Sequence, residues 1–168
     1  GARILSVACG HLREADLVDE AAWDGIASLI ALDQDRQSLD GVQLRYGNRA
    51  VQPVWSRIQD LVRGDGPEGP FDLIYAAGLY DYLEIKTAKL LTERLTRKLD
   101  PGGTLLIGNM DACPEMAFAD IVQAWTLITR TPSEMAALAD AAVGPDFTHK
   151  VWADQWGAVV WLEASRKT

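Results

Sequence analysis

Basic residues are in short supply in this chain. It has 16 Lys and Arg against 24 Asp and Glu, for a net charge of −8. Nucleic-acid binding depends on neutralising phosphates with Lys and Arg. With no dense basic run, DNA and RNA are not expected partners. Cysteine is scarce as well. Cys9 and Cys113 lie far apart and no CxxC pair occurs, which excludes a disulfide framework and a zinc signature. Both read as free thiols of a reducing, cytoplasmic compartment. His11 and His149 are the only histidines and lack metal-ligand spacing, so no metal is expected. No apolar run approaches the ~20 residues that span a bilayer. No basic-then-apolar signal segment is present, and repeats and low-complexity tracts are missing.

What is there fits one soluble domain. The 168 residues are enough for a substantial core, and 48% hydrophobic with 24% charged content is ordinary for a globular chain. Apolar runs predict strands at Ile4 to Ala8, Leu29 to Leu32, Val51 to Trp55 (weakened by Pro53), Phe71 to Ala76 and Thr104 to Gly108. Helical spacing predicts helices through Leu12, Ala15, Val18 and Ala22, over 35–46, over 83–99, and over 114–128 and 132–142. Pro114 and Pro132 suit first-turn positions. The Gly- and Pro-rich stretch 63–70 reads as a surface loop, and Pro101-Gly102-Gly103 as a turn. Alternation of strand and helix argues for a doubly wound α/β fold with a mainly parallel sheet. The last two strand-like stretches, "FTHKVWAD" and "GAVVWLEA", are separated by only about four residues. A parallel crossover needs a dozen or more, so these strands, if adjacent, form an antiparallel hairpin.

In such sheets ligands sit beyond the carboxyl ends of the strands. That rule selects Cys9 to His11, Asp33, Ser56-Arg57, Ala77 to Tyr82, and Asn109 to Asp111. Gly10 lets backbone approach a ligand closely. Asp33 follows it by 23 residues, near the offset at which a carboxylate accepts two hydrogen bonds from a ribose diol.

Four stretches together resemble the class I S-adenosylmethionine (SAM)-dependent methyltransferases. They are "ILSVACG" (first motif), "IALDQD" (acidic second motif), "FDLIYAAGLYDYL" (fourth strand) and "LTRKLDPGGTLLIGN" (helix, Pro-Gly-Gly, strand). A terminal antiparallel hairpin also belongs to that fold. The narrower combination of "SVACG", "DLIYAAGLYDYL", "GGTLLIGN" and "WTLITRTPSEMAALA" is similar to a bacterial subfamily that includes enzymes forming 3-hydroxy fatty acid methyl esters. The resemblance implies a Rossmann-like sheet, SAM as cofactor with S-adenosylhomocysteine as product, and a small-molecule acceptor, an oxygen of a fatty-acid-like compound. It implies that residues 1–168 are one cofactor domain of a longer chain with additional N-terminal sequence, as a monomer or homodimer. The alternative is a catalytically weak or inactive methyltransferase-like binding module. A nicotinamide-binding domain is disfavoured because G-x-G-x-x-G is absent.

The implied cofactor residues are Ala8, Cys9, Gly10, Asp33, Gln34, Ser56, Arg57, Ala77 and Gly78. Tyr80 and Asp81 are the catalytic candidates, with Tyr82, Asn109 and Arg130 on the acceptor. Each has a plainer reading. Gly10 is then a turn residue, Asp33 a solvated strand end, Ala77-Gly78 simple packing, Tyr80 and Tyr82 core caps, Asp81 a helix start, and Arg130 a surface charge. Asp35 reads as a helix cap or a second contact, His11 as a local hydrogen-bonding residue or base, and Trp125 as packing or pocket lining. The first motif also departs from the family. Its acidic position holds Ser6, its first and third glycines are Ala8 and Leu12, and only Gly10 remains. The acidic position normally helps hold the SAM amino group, so weak or altered cofactor binding is expected.

Overall fold

The computed structural model describes residues 1–111 and 127–168. Seven strands form one sheet: β1 (Ala2–Val7), β2 (Ile26–Asp33), β3 (Val51–Trp55), β4 (Phe71–Ala76), β5 (Leu99–Met110), β6 (Phe147–Ala153) and β7 (Val159–Arg166). Their order is β3-β2-β1-β4-β5-β7-β6. The pairs β1–β2, β2–β3, β1–β4 and β4–β5 are parallel. Strand β7 runs against both β5 and β6. The doubly wound sheet and its C-terminal antiparallel hairpin are thus as the sequence predicts. The hairpin loop is closed by the Ala158 N–H donating to Asp154 Oδ1 at 2.8 Å.

Among the described residues the α-helices are α1 (Glu20–Trp23), α2 (Arg36–Tyr46), α3 (Ile58–Arg63), α4 (Ile85–Thr96) and α5 (Pro132–Ala142). Helices α3, α4 and α5 cover one sheet face. Their Leu61, Leu91, Leu95, Met135 and Leu138 pack on Leu5, Val7, Ile74, Leu105, Ile107 and Leu162. Helices α1 and α2 cover part of the other face, with Trp23, Val42 and Tyr46 over Leu29, Ala31 and Val51. The helix starts follow from capping chemistry. Asp35 accepts from the Gln37 and Ser38 N–H groups to open α2. Thr131 and Glu134 exchange bonds around the α5 start, with Pro132 in the first turn.

Three elements differ from the sequence pattern. The first predicted helix is a 3₁₀ turn, Arg13–Leu17, followed by the short α1. Leu12 has φ +52° and Val18 is extended, so no continuous helix can run through them; Trp23, not Ala22, is the buried residue. Helix α3 follows β3 directly. Its signals are Asp60, which accepts the Arg57 N–H at 3.1 Å, and Gly64 with φ +101° at its end. Strand β5 begins at Leu99, and Pro101–Gly103 form a bulge inside it: Phe71 pairs with Leu99, but Leu73 with Thr104. Gly103 allows this, since a Cβ there would lie 2.6 Å from the Phe71 carbonyl oxygen. The helix expected over 114–128 lies outside the described residues up to position 126, as do Cys113 and Trp125.

Candidate functional site

Strand order reverses between β1 and β4, so the crevice opens beyond the ends of β1, β2 and β4. The loop after β1 makes three left-handed steps, at Ala8 (φ +55°), Gly10 (φ +51°) and Leu12 (φ +52°). Only one is glycine. Left-handed backbone costs other L-residues roughly 1–2 kcal/mol. Leu12 offsets this by complete burial, and its carbonyl accepts from the Tyr46 hydroxyl at 3.2 Å. The loop is tied to β2 by Cys9 N–H donating to the Leu32 carbonyl at 3.0 Å.

Asp33 ends β2 with both carboxylate oxygens positioned by backbone. Oδ2 accepts from Gly10 N–H and Oδ1 from Asp35 N–H, both at 2.8 Å. Each oxygen keeps acceptor capacity for a further donor. Asp33 lines a cavity of about 420 Å³ with Ala8, Gln34, Ile58, Gly78, Leu79 and Tyr82. A neighbouring hollow of about 480 Å³ shares Gln34, Ile58, Leu79 and Tyr82 and extends over Val62, Arg63, Leu83 and Thr87. Both volumes suit a small organic ligand. Gly78 meets no protein atom within 4 Å of an added Cβ and its φ is not left-handed, so neither packing nor backbone demands glycine there.

The structure therefore brings Ala8, Gly10, Asp33, Gln34, Gly78 and Tyr82 together. Cys9 sits beside them with a half-buried thiol. Its pKa is pushed up to about 12 by burial, then by the charges of Asp33 and Glu14. Ala77 is exposed at the end of β4. Ser56 and Arg57 are not among the residues that line either hollow. Ser56 is buried, its N–H on the Asp33 carbonyl. Arg57 lies over the Trp55 ring at 5.6 Å, with Arg36 at 4.5 Å. The cavity residue of that segment is Ile58, which sequence reading passed over; its signal is an apolar residue at the start of a short capped helix. Asp35 is spent as a cap, and His11 faces Ser38 at 3.5 Å in a separate groove.

The remaining candidates, Tyr80, Asp81, Asn109 and Arg130, form a buried hydrogen-bonded network and are not among the residues that line these two hollows. Tyr80 is 0% exposed, and its hydroxyl meets Thr92 Oγ1 at 2.9 Å. The Asp81 carboxylate accepts the Met110 N–H at 2.7 Å, and its carbonyl accepts the Ile128 N–H at 2.7 Å. Burial raises the Asp81 pKa. Asn109 donates to the Met110 and Ile128 carbonyls, each at 3.0 Å. Arg130, 4% exposed, donates to the Tyr80 carbonyl (2.7 Å), Asn109 Oδ1 (2.5 Å) and the Leu83 carbonyl (2.5 Å). These bonds join the β4 and β5 ends to residues 128–130. Arg130 is thus not the surface charge of the plainer reading; it is held by protein acceptors and also lines a separate cavity of about 460 Å³ with Ile85, Ile128 and Leu138. Among the described residues no cluster of His, Cys, Asp and Glu could hold a metal, and no helix is long and apolar enough to cross a membrane.

No protein-family model and no curated protein sequence matches the chain. Solved structures do match. A possible exported protein from Bordetella parapertussis shares 20% identity at a TM-score of 0.80, over 100% of this chain and 62% of that one. The S-adenosylmethionine-dependent methyltransferase SibL, in its apo form, shares 16% at 0.76, over 99% and 51%. The N-methyltransferase NodS from Bradyrhizobium japonicum, in complex with S-adenosylhomocysteine, shares 13% at 0.69, over 99% and 79%. The chain thus spans about half to two thirds of the length of the first two. At these identities the likeness establishes the fold, which is that of class I methyltransferases.

Proposed function

We propose that this chain is the cofactor-binding domain of a SAM-dependent methyltransferase acting on a small-molecule acceptor. The observation that carries the reading is the Asp33 carboxylate, set by two backbone N–H groups at the mouth of a cavity at the switch point. The residues present fit the cofactor. Asp33 has free lone pairs for a ribose diol, Ile58 and Leu79 offer apolar surface to a purine, and Gly78 leaves open space. Tyr82 is 53% exposed and places an aromatic ring where a sulfonium would find a favourable partner. The fold's neighbours include SAM-dependent enzymes, one with S-adenosylhomocysteine bound.

When bound, SAM supplies an activated methyl group on sulfur. The protein then has to orient it, hold the acceptor in line and keep the site dry. The acceptor we propose is an oxygen of a fatty-acid-like compound, as in the subfamily that forms 3-hydroxy fatty acid methyl esters. Val62 and Leu83, which extend the second hollow beyond the residues assigned to the purine, support an alkyl chain. A carboxylate acceptor needs no general base, and among the described residues Asp33 and Tyr82 are the only acid–base candidates lining the first cavity. The cysteine pattern, two residues far apart with no CxxC pair, is the ground for the reducing, cytoplasmic setting proposed with this reading. The altered first motif, with Ser6 buried in the acidic position, favours one second reading, a weak or inactive binding module.

Calorimetric titration with S-adenosylhomocysteine tests cofactor binding, and transfer of labelled methyl to fatty acyl acids tests the reaction. Micromolar binding with transfer supports the enzyme. Binding without transfer to any acceptor supports the module, and no binding overturns both.

A further inference from the structure

Among the described residues each of the two adjoining hollows is lined by a single charged side chain, Asp33 in the first and Arg63 in the second. Gln34, Ile58, Leu79 and Tyr82 line both and join them. Helix α3 sets the direction of the second hollow. It starts at Ile58, directly after β3 and its N-cap Arg57, and ends at Arg63. A helical rise over that interval places Arg63 about 7 Å further along the axis than Ile58. Ile58 and Val62 lie four apart on one helix face, with Gln59 and Arg63 four apart beside them. The apolar stretch is therefore short. Besides the shared residues it has Val62 and Leu83, and the rest of the wall is Gln59, Arg63 and Thr87.

Arg63 can take a further partner. Its one ion pair among the described residues is with Asp60, Nη1 to Oδ1 at 3.5 Å, on a side chain 71% exposed. Such a pair contributes little. The other Asp60 oxygen already accepts the Arg57 N–H. The remaining guanidinium donors of Arg63 make no hydrogen bond to the described residues, so they can present a fork to an anion.

We infer that Arg63 selects an acceptor with an anionic group at each end, an α,ω-dicarboxylate that lies with one carboxylate beside Tyr82 and the other on Arg63. This rests on the proposed function and narrows its substrate class. The physical argument is the order of chemistry along the hollow. A plain fatty acid would lay its methyl end against a guanidinium and gain nothing there. A chain of equal length that ends in a carboxylate keeps the contacts with Val62 and Leu83 and adds a charge-assisted hydrogen bond. The two charged side chains also orient it, since Asp33 repels a carboxylate at one end and Arg63 attracts it at the other.

The test compares octanedioate with octanoate, which differ only at the far terminus. Both are titrated by calorimetry into the chain saturated with S-adenosylhomocysteine, as wild type, Arg63→Gln and Arg63→Lys. Wild type is expected to bind octanedioate about fivefold more tightly than octanoate. Arg63→Gln is expected to erase that preference, with octanoate affinity changed less than about twofold and S-adenosylhomocysteine affinity unchanged. Arg63→Lys keeps the charge without the fork and is expected to retain part of the preference. Melting curves of both variants should match wild type, because the side chain is exposed. Equal binding of the two acids by wild type, or a preference that survives Arg63→Gln, overturns the inference. Binding of S-adenosylhomocysteine with neither acid bound overturns it too and leaves the cofactor reading standing. If wild type does not bind S-adenosylhomocysteine, the proposed function fails and this inference with it.

Discussion

The Gly10 N–H donates to Asp33 Oδ2 at 2.8 Å, joining the loop after β1 to the end of β2 across 23 residues. The Asp35 N–H holds the other oxygen at 2.8 Å. One side chain thereby fixes the geometry of two crossover loops and remains able to accept from a ligand.

Replacing Asp33 removes both functions. Asp33→Ala is expected to weaken S-adenosylhomocysteine at least tenfold, about 1.4 kcal/mol. Asp33→Asn is expected to fall between, because its amide keeps one acceptor but turns an NH₂ toward a backbone donor. Calorimetric titration of the three proteins checks the ranking; Asn weaker than Ala would count against the two-acceptor account.

The two residues standing at left-handed φ where the family has glycine respond in opposite ways. Ala8→Gly relieves backbone strain of roughly 1–2 kcal/mol. It also adds unfolded-state freedom of about 0.4–1 kcal/mol. The net expectation is neutral to slightly stabilising. Leu12→Gly gains the same relief but empties a fully buried site beneath Tyr46. Losing a buried Leu side chain costs ~2–5 kcal/mol, so a clear net loss is expected. Urea unfolding of both variants separates the cases.

These positions also mark where the sequence was legible. Asp33 was readable because an apolar run ends on it at a telling distance from Gly10, and the hairpin because four residues cannot make a crossover. Burial of single polar residues was not readable. Tyr80 and Leu83 lie three apart across a 3₁₀ turn, which puts both inward and leaves Tyr82 at the cavity. Nothing in "YDYL" announces that turn. Arg130 looks exposed in a polar stretch, and only the convergence of three carbonyl-type acceptors from β5 and the β4 loop buries it.

Arg130→Met should therefore act on stability. It strands the Tyr80 and Leu83 carbonyls and Asn109 Oδ1 in a buried setting, at about 1–3 kcal/mol for a lost partner of this kind. The expected result is a total loss of about 3–5 kcal/mol, comparable to breaking a buried charge network. Affinity for S-adenosylhomocysteine should change little while the protein is folded. Chemical denaturation and calorimetry on the same variant decide it, and unchanged stability with lost acceptor turnover would favour the substrate role.

Asp81 supplies a pH signature. Burial raises its pKa in the folded state, while the Met110 N–H and Arg130 push the other way without cancelling it. A carboxyl group with a raised folded pKa contributes stability fully below its unfolded pKa, near 3.9. That contribution is lost as pH rises through the folded pKa, because the unfolded chain releases the proton more readily. Wild-type stability should thus carry a downward component with rising pH, beginning near pH 4. Asp81→Asn keeps an oxygen for the Met110 N–H and cannot ionise. It should equal or exceed wild type in stability at neutral pH, and the difference should shrink toward pH 4. Denaturation measured from pH 4 to 8 in both proteins tests the sign. A variant less stable at pH 7 than at pH 4, relative to wild type, would show that the ionised carboxylate is favoured by its neighbours despite burial.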